Sequence, residues 1–126
     1  MPLVSILMPV RDDLRTLPDC LESIQKQSFK DWELVVVDDG SSDGSGEFLQ
    51  ETAAKDSRIR VLREHPRGIV SALNSGLAAC AGSYVARMDA DDRMRPERLE
   101  TQLAFLQRET QVDFCGSRVK PFTVKG

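Results

Sequence analysis

The segment RMDADDRM, residues 87–94, carries three acidic side chains in four positions, Asp89, Asp91 and Asp92. If a strand stays extended through the segment, Asp89 and Asp91 point to the same side, because side chains alternate along a strand. Two carboxylates on one face repel each other unless a cation joins them. Oxygen ligands of this kind suit Mg²⁺ or Mn²⁺, so the segment predicts a divalent metal site.

A simpler reading of these acids is that Asp91 or Asp92 caps or precedes a helix that opens at Pro96. One acid is enough for that purpose. Three acids at the end of a strand are more than capping requires, and we therefore favour the metal site.

A second group of polar residues lies in VVVDDGSSDGSG, residues 35–46, where Asp38 and Asp39 end an apolar run. The glycine spacing does not match the G-x-G-x-x-G fingerprint, and no Gly-Lys-Ser/Thr follows, so neither common phosphate-binding loop is present. We expect both acids at the binding crevice, where carboxylates can accept hydrogen bonds from a base N–H or from ribose hydroxyls. The Gly/Ser stretch is interpreted as a turn and a helix cap.

Apolar runs of strand length alternate with segments of helical period along the chain. We predict strands over 3–10, 34–37, 59–62, 84–88 and 112–115. Helices are predicted after the first strand, over 47–55, over 69–80, and from Pro96 onward. This alternation predicts an α/β fold, with a mostly parallel, Rossmann-like sheet between two layers of helices, in a single domain over 1–126. Ligands bind such sheets at the carboxyl ends of the strands, where the acids collect.

Local signals mark several helix ends. Thr16 with Asp19 resembles a capping box at the start of the first helix. Asp43 or Ser45 can cap the second helix, and Gly82 is expected to stop the third.

Composition excludes several classes of function. The 126 residues carry 17 basic and 20 acidic side chains with no basic patch, which argues against a nucleic-acid partner. Cys20, Cys80 and Cys115 are widely spaced and His65 is the single histidine, which argues against zinc and favours free thiols in a reducing compartment. Neither a signal peptide nor a transmembrane-length apolar run is seen, so we expect a cytoplasmic domain, which can belong to a larger protein at the cytoplasmic face of a membrane.

Almost the whole chain resembles the N-terminal, nucleotide-sugar-binding half of a family 2 glycosyltransferase with the GT-A fold. The resemblance rests on spaced motifs in the order of that family, namely the proline of the first strand, SIQKQSF, VVVDDGSSD, ALNSG and MDADD. It implies that Asp39 hydrogen-bonds the nucleotide base and that Pro9 lies in the same pocket. It also implies that Asp89-Ala90-Asp91 is the D-x-D motif, which holds the ribose and the metal, with Asp91 as the principal metal ligand.

Two arginines are further candidates for nucleotide binding. Members of the family often carry an aromatic residue and an asparagine where this chain has Arg11 and Asp12. An arginine plane can also stack on a base, so Arg11 is expected to line the pocket. Arg67 precedes the third helix and can hydrogen-bond the base or the phosphates, although a solvated loop arginine fits the sequence equally well.

The implied reaction transfers a sugar from a nucleotide sugar to a saccharide, lipid or protein acceptor, with inversion at the transferred sugar carbon. A UDP-sugar is the expected donor. Mg²⁺ or Mn²⁺ on the diphosphate would stabilise the charge of the leaving group. The resemblance places the acceptor-binding half and its carboxylate base beyond this chain, and we expect the 126 residues alone to be inactive. Apolar residues near the end of the chain, Phe114, Pro121 and Phe122, are expected to favour self-association.

Other readings explain part of the pattern. A two-component receiver domain also gathers acids around Mg²⁺, but its acidic pair follows the first strand, and Lys120 does not match its lysine. A sugar-nucleotide pyrophosphorylase needs a glycine-rich basic loop after the first strand, and MPVRDDLRTL contains no glycine. A nucleotide-sugar-binding fragment without turnover is compatible with the family resemblance.

Overall fold

The computed structural model describes residues 1–113 and 115. In this part of the chain, four strands alternate with four helices. The strands are β1 (Val4–Val10), β2 (Trp32–Asp39), β3 (Ile59–Glu64) and β4 (Tyr84–Arg87). The helices are α1 (Leu17–Gln25), α2 (Ser45–Lys55), α3 (Ile69–Ala79) and α4 (Arg98–Arg108). The predicted α/β alternation is thereby confirmed.

The four strands form one sheet in the order β3-β2-β1-β4, and every pairing is parallel. Val10 on β1 lies opposite Asp38 on β2, and Leu7 on β1 lies opposite Arg87 on β4. The chain moves from β1 outward to β3 and then returns to place β4 on the other side of β1. A crevice for ligands is expected at such a reversal, outside the carboxyl ends of β1 and β4.

Helices cover both faces of the sheet, which explains the continuous apolar runs of β1 and β2. On one face, the even-numbered side chains of these strands pack with α1 and α4, in a core that includes Ile6, Met8, Leu34, Val36, Leu21 and Leu103. On the other face, α3 lies against Leu7 and Val37. Gly76 allows this approach, since a Cβ there would lie 2.3 Å from Cδ1 of Leu7.

Two predicted helix-end signals are wrong. Helix α3 ends at Ala79, before Gly82 is reached. A Cβ on Gly82 would lie 2.7 Å from the backbone nitrogen of Ser5, so glycine is required here for close passage beside β1. The capping box is also absent, since Thr16 makes no side-chain cap hydrogen bond at the start of α1.

The start of α2 agrees better with the predicted capping by Asp43 or Ser45. Gly44 is the N-cap, in a left-handed conformation with φ of 97°. One carboxylate oxygen of Asp43 accepts hydrogen bonds from the backbone N–H of Ser45 at 2.9 Å and from its hydroxyl at 2.6 Å. Asp43 therefore satisfies the first N–H of the helix from the position that precedes the N-cap.

The end of the described chain differs from the prediction. The strand predicted over 112–115 is not present at residues 112, 113 and 115, and Phe114 lies outside the described residues. Pro121 and Phe122, expected to support self-association, also lie outside them.

A buried carboxylate joins the elements near the amino ends of the strands. Glu33 on β2 accepts hydrogen bonds from the Ser5 hydroxyl at 2.5 Å, the Ala81 backbone N–H at 2.6 Å and the Arg60 guanidinium at 2.8 Å. Burial disfavours the charged carboxylate, but these donors outweigh it and hold the pKa of Glu33 below its usual 4.5. Glu33 thus fixes the turn between α3 and β4 to the sheet.

Glu33→Gln should lower the free energy of unfolding by about 1–3 kcal/mol near neutral pH, because charge-assisted hydrogen bonds are lost. A carboxyl group whose pKa is lowered by folding stabilises the fold above its unfolded pKa, and that contribution is lost as the pH falls through its folded pKa. The difference in free energy of unfolding between wild type and Glu33→Gln should therefore become smaller below about pH 4.5. Urea unfolding across pH measures it, with exposed Glu51→Gln as the control. A difference independent of pH would contradict this role of Glu33.

Candidate functional site at the carboxyl edge of the sheet

Two loops at the carboxyl edge, 11–16 after β1 and 40–44 after β2, are joined by hydrogen bonds in both directions. The backbone N–H of Asp12 donates to the Ser41 hydroxyl at 3.0 Å, and the N–H of Ser42 donates to the Asp12 carboxylate at 2.7 Å. The N–H of Leu14 donates to Asp43 at 3.0 Å. The Gly/Ser stretch is therefore more than the predicted turn and cap, because it fixes the loop after β1.

The acidic pair at the end of β2 divides between the two faces of the sheet. Asp38 is fully buried, and one of its oxygens accepts from the backbone N–H of Ser41 at 3.0 Å. The other oxygen lies 4.0 Å from Nε of Arg63. Because side chains alternate along a strand, Asp39 points to the opposite face. The expectation that both acids reach the crevice is wrong for Asp38, which is a structural residue.

Asp39 lies with the other residues predicted to bind the nucleotide. Its Oδ1 accepts from the backbone N–H of Arg67 at 2.9 Å, and its Oδ2 accepts from the N–H of Gly68 at 3.0 Å. The guanidinium of Arg11 lies 4.0 Å from Oδ2. Pro9 is on the adjacent strand, opposite Val37. We call Pro9, Arg11, Asp39 and Arg67 the Asp39 group. Arg67 contacts Asp39 through its backbone N–H, and the residue is exposed.

The acids Asp89, Asp91 and Asp92, here called the acidic turn, lie beyond the end of β4. The strand ends at Arg87, and a turn at 90–91 follows in which the N–H of Asp92 donates to the carbonyl of Asp89 at 3.1 Å. Each of the three acids offers a carboxylate oxygen, and these oxygens lie within 4.8 Å of one another. The predicted proximity of Asp89 and Asp91 is therefore present, but a turn produces it in place of an extended strand, and it also brings in Asp92.

The negative potential of the acidic turn reaches neighbouring groups. Partial burial, followed by repulsion from Asp91 and Asp89, raises the pKa of Asp92. Burial also raises the pKa of Asp13. A hydrogen bond from the Arg11 N–H acts in the opposite direction, and the negative charge of Asp91 raises the pKa further. Burial and then repulsion from the surrounding acids raise the pKa of the Cys20 thiol to about 12. A cation bound here would relieve this repulsion.

The ligands in the acidic turn fit a hard divalent cation. All three are carboxylates, and no other set of three close His, Cys, Asp or Glu ligands occurs within residues 1–113 and 115. Mg²⁺ and Mn²⁺ prefer oxygen ligands and commonly keep positions for phosphate oxygens, which these exposed side chains leave accessible. Arg87, 3.2 Å from Asp89, offsets part of the negative charge.

Sequence comparison identifies the family. The sequence profile of "Glycosyl transferase family 2" matches residues 5–126. The chain belongs to glycosyltransferase family 2. It is 37% identical over 123 residues to the "Putative glycosyltransferase EpsE" of Bacillus subtilis, covering 96% of this chain and 44% of that protein. It is also 37% identical over 117 residues to the B. subtilis "Putative teichuronic acid biosynthesis glycosyltransferase TuaG", covering 91% of this chain and 46% of that protein.

Solved structures confirm the GT-A, Rossmann-like fold. TarS residues 1–349 of S. aureus, crystallised with UDP-GlcNAc, superpose with a TM-score of 0.78 at 26% identity, covering 85% of this chain and 32% of that one. The mannosyltransferase PcManGT of Pyrobaculum calidifontis, in complex with GDP-Man and Mn²⁺, gives a TM-score of 0.78 at 26% identity, covering 83% and 32%. These matches do not favour the receiver-domain reading.

This family 2 chain spans less than half the length of the two B. subtilis relatives. Among the helices of the described residues, none is both long and apolar enough to cross a lipid bilayer.

Asp91→Asn should lower the pKa of Asp13, because it removes one of the charges that raise it. The pKa is measured from the pH dependence of the carboxyl ¹³C shift of Asp13 in the metal-free chain. Asp31→Asn removes the same formal charge at the opposite end of the sheet and serves as the control. An Asp13 pKa that is equal in wild type and Asp91→Asn would contradict the electrostatic interaction between the acidic turn and the loop after β1.

Proposed function

We propose that this chain binds a nucleoside diphosphate sugar, with UDP as the nucleotide, through a divalent cation held by the D-x-D acids Asp89 and Asp91. A protein with this chain as its donor-binding part would transfer the sugar to the hydroxyl of a saccharide, lipid or protein acceptor, with inversion. The observation that carries the proposal is the placement of the acidic turn and the Asp39 group on one carboxyl edge in a family 2 chain.

The acidic turn would hold the cation, with Asp91 as the principal ligand and Asp89 and Asp92 beside it. When bound, Mg²⁺ or Mn²⁺ would act as a Lewis acid on the departing diphosphate. The chain's own contribution is to keep carboxylates close to one another at an exposed edge that phosphate oxygens can reach. Support comes from the structural relative that was crystallised with GDP-Man and Mn²⁺.

The Asp39 group would bind the base. Arg11 is more than half exposed, with 55% of its side-chain surface accessible, so its guanidinium plane can stack on a base. Each carboxylate oxygen of Asp39 accepts one backbone N–H, Oδ1 from Arg67 and Oδ2 from Gly68. A carboxylate oxygen has two lone pairs, so Asp39 can accept a further donor from a base. The choice of UDP is supported by the structural relative that was crystallised with UDP-GlcNAc.

Calorimetry can test the cation and the base separately. We expect UDP to bind the wild-type chain at least tenfold more tightly with Mn²⁺ than with EDTA, a difference of about 1.4 kcal/mol. Asp91→Ala should reduce binding with Mn²⁺ to the value measured in EDTA, because its carboxylate no longer holds the cation. Equal UDP affinity in Mn²⁺ and EDTA would contradict the assignment of the D-x-D motif.

Asp39→Asn in the same titrations should weaken UDP binding both with Mn²⁺ and with EDTA, because its effect falls on the base and not on the cation. Asp31→Asn is the control of equal charge change, and unfolding curves verify that each variant is folded. GDP binding more tightly than UDP would contradict the choice of base while leaving nucleotide binding intact.

The expectation that the 126 residues alone transfer no sugar remains part of the proposal, and an acceptor assay on the purified chain tests it.

A further inference from the structure

Helix α1 and its two flanking turns present four polar side chains along one side. Thr16, Cys20, Ser23 and Gln27 recur at intervals of four, three and four residues, which places them on a single helix face. Cys20 and Gln27 are fully buried, and the other two are partly buried. We call these four residues the polar face of α1.

The first half of this face contacts the backbone of the acidic turn. The Thr16 hydroxyl donates to the carbonyl of Ala90 at 3.0 Å, which is the middle residue of the D-x-D sequence. The same hydroxyl lies 3.3 Å from the carbonyl of Asp13, so it also joins the loop after β1. The Cys20 thiol lies 3.7 Å from the carbonyl of Asp89.

The second half of the face holds the chain that leads from the acidic turn to α4. The Ser23 hydroxyl accepts from the backbone N–H of Met94 at 3.0 Å. The Gln27 amide donates to the carbonyl of Arg95 at 2.7 Å and accepts from the N–H of Leu99 at 3.1 Å. The last contact satisfies an N–H in the first turn of α4, which has no partner within its own helix.

The segment that receives these bonds has little regular structure of its own. Residues 88–97 connect β4 to α4 and include the three carboxylates of the acidic turn. Like charges at this separation repel, so the turn needs contacts outside itself to keep them together. From the other side, the Arg98 guanidinium donates to the carbonyl of Arg87 at 3.0 Å, which fixes the point where β4 ends.

We propose that the polar face of α1 positions the acidic turn for the cation, with Thr16 as its principal positioning residue. This inference rests on the proposed function, since it concerns the same cation. None of the four residues needs to touch the cation or the nucleotide, because the bonds and contacts they make with residues 89–99 are all to backbone atoms. It also gives a physical role to the SIQKQSF motif, whose Ser23 and Gln27 hold the second half of the segment.

The experiment compares Thr16→Val with Thr52→Val. Both substitutions remove one hydroxyl and keep the shape of the side chain, but Thr52 in α2 donates only within its own helix, to the carbonyl of Phe48 at 2.9 Å. Mn²⁺ affinity is measured by electron paramagnetic resonance of the free ion in the presence of saturating UDP. We expect Thr16→Val to weaken Mn²⁺ binding by about tenfold, as for other groups that orient metal ligands, and Thr52→Val to leave it unchanged.

Three additional measurements separate positioning from loss of fold. Thr16→Ser keeps the hydroxyl and should restore Mn²⁺ affinity, and UDP affinity in EDTA should be equal in wild type and Thr16→Val. Hydrogen exchange at the amides of residues 89–94 should accelerate in metal-free Thr16→Val and not in Thr52→Val. Equal Mn²⁺ affinity in wild type and Thr16→Val would overturn this inference alone. Failure of the wild-type chain to bind Mn²⁺ would overturn the proposed function and this inference with it.

Discussion

Carboxylates repel one another, yet this chain keeps those of Asp89, Asp91 and Asp92 within 4.8 Å at the end of one strand. Partial burial raises the pKa of Asp92, and repulsion from Asp91 and Asp89 raises it further. Hydrogen bonds to the backbone offset this repulsion, since Thr16 at the start of α1 bonds the carbonyl of Ala90 within the turn, and Arg98 of α4 bonds the carbonyl of Arg87 just before it. The rest of the fold can be understood as the support that holds this concentration of charge at an accessible edge.

The sheet order β3-β2-β1-β4 determines which groups share that edge. Because β4 pairs with β1 on the side opposite β2, the loop after β1 lies between the acidic turn on one side and the Asp39 group on the other. Asp13 in this loop experiences the charge of Asp91, and Arg11 in the same loop lies 4.0 Å from Asp39. One short loop therefore connects the part of the site that suits a cation with the part that suits a base.

The sequence was sufficient for the alternation of strands and helices, because buried parallel strands are continuous apolar runs and α3 has a clear helical period. It also indicated which strand ends carry the acids. It did not reveal that Asp38 turns away from the crevice, because a run of eight buried residues in β2 shows no alternation between polar and apolar positions. The turn at 90–91 was also missed, since the sequence DADD is compatible with an extended strand.

Other features depend on contacts between segments that are distant in sequence. Gly82 resembles a helix stop, but it is required by the backbone of Ser5, 77 residues earlier. Thr16 resembles a helix cap, but its hydroxyl bonds the carbonyl of Ala90, 74 residues later. The one available signal was the spacing of polar residues on the buried side of α1, where apolar residues alone would be expected. Such a polar stripe indicates hydrogen-bonding partners elsewhere in the chain.

Paramagnetic broadening of amide resonances tests most directly whether the cation and the nucleotide meet at this edge. Mn²⁺ is added at substoichiometric amounts to the ¹⁵N-labelled chain with saturating UDP, and Mg²⁺ provides the diamagnetic reference. We predict that the amides of residues 89–92 broaden first, followed by those of Asp12 and Asp13, while UDP alone shifts the amides of Arg67 and Gly68. Broadening centred on other exposed acids, such as Glu47 and Glu51, or independent of UDP, would contradict a shared site for cation and nucleotide.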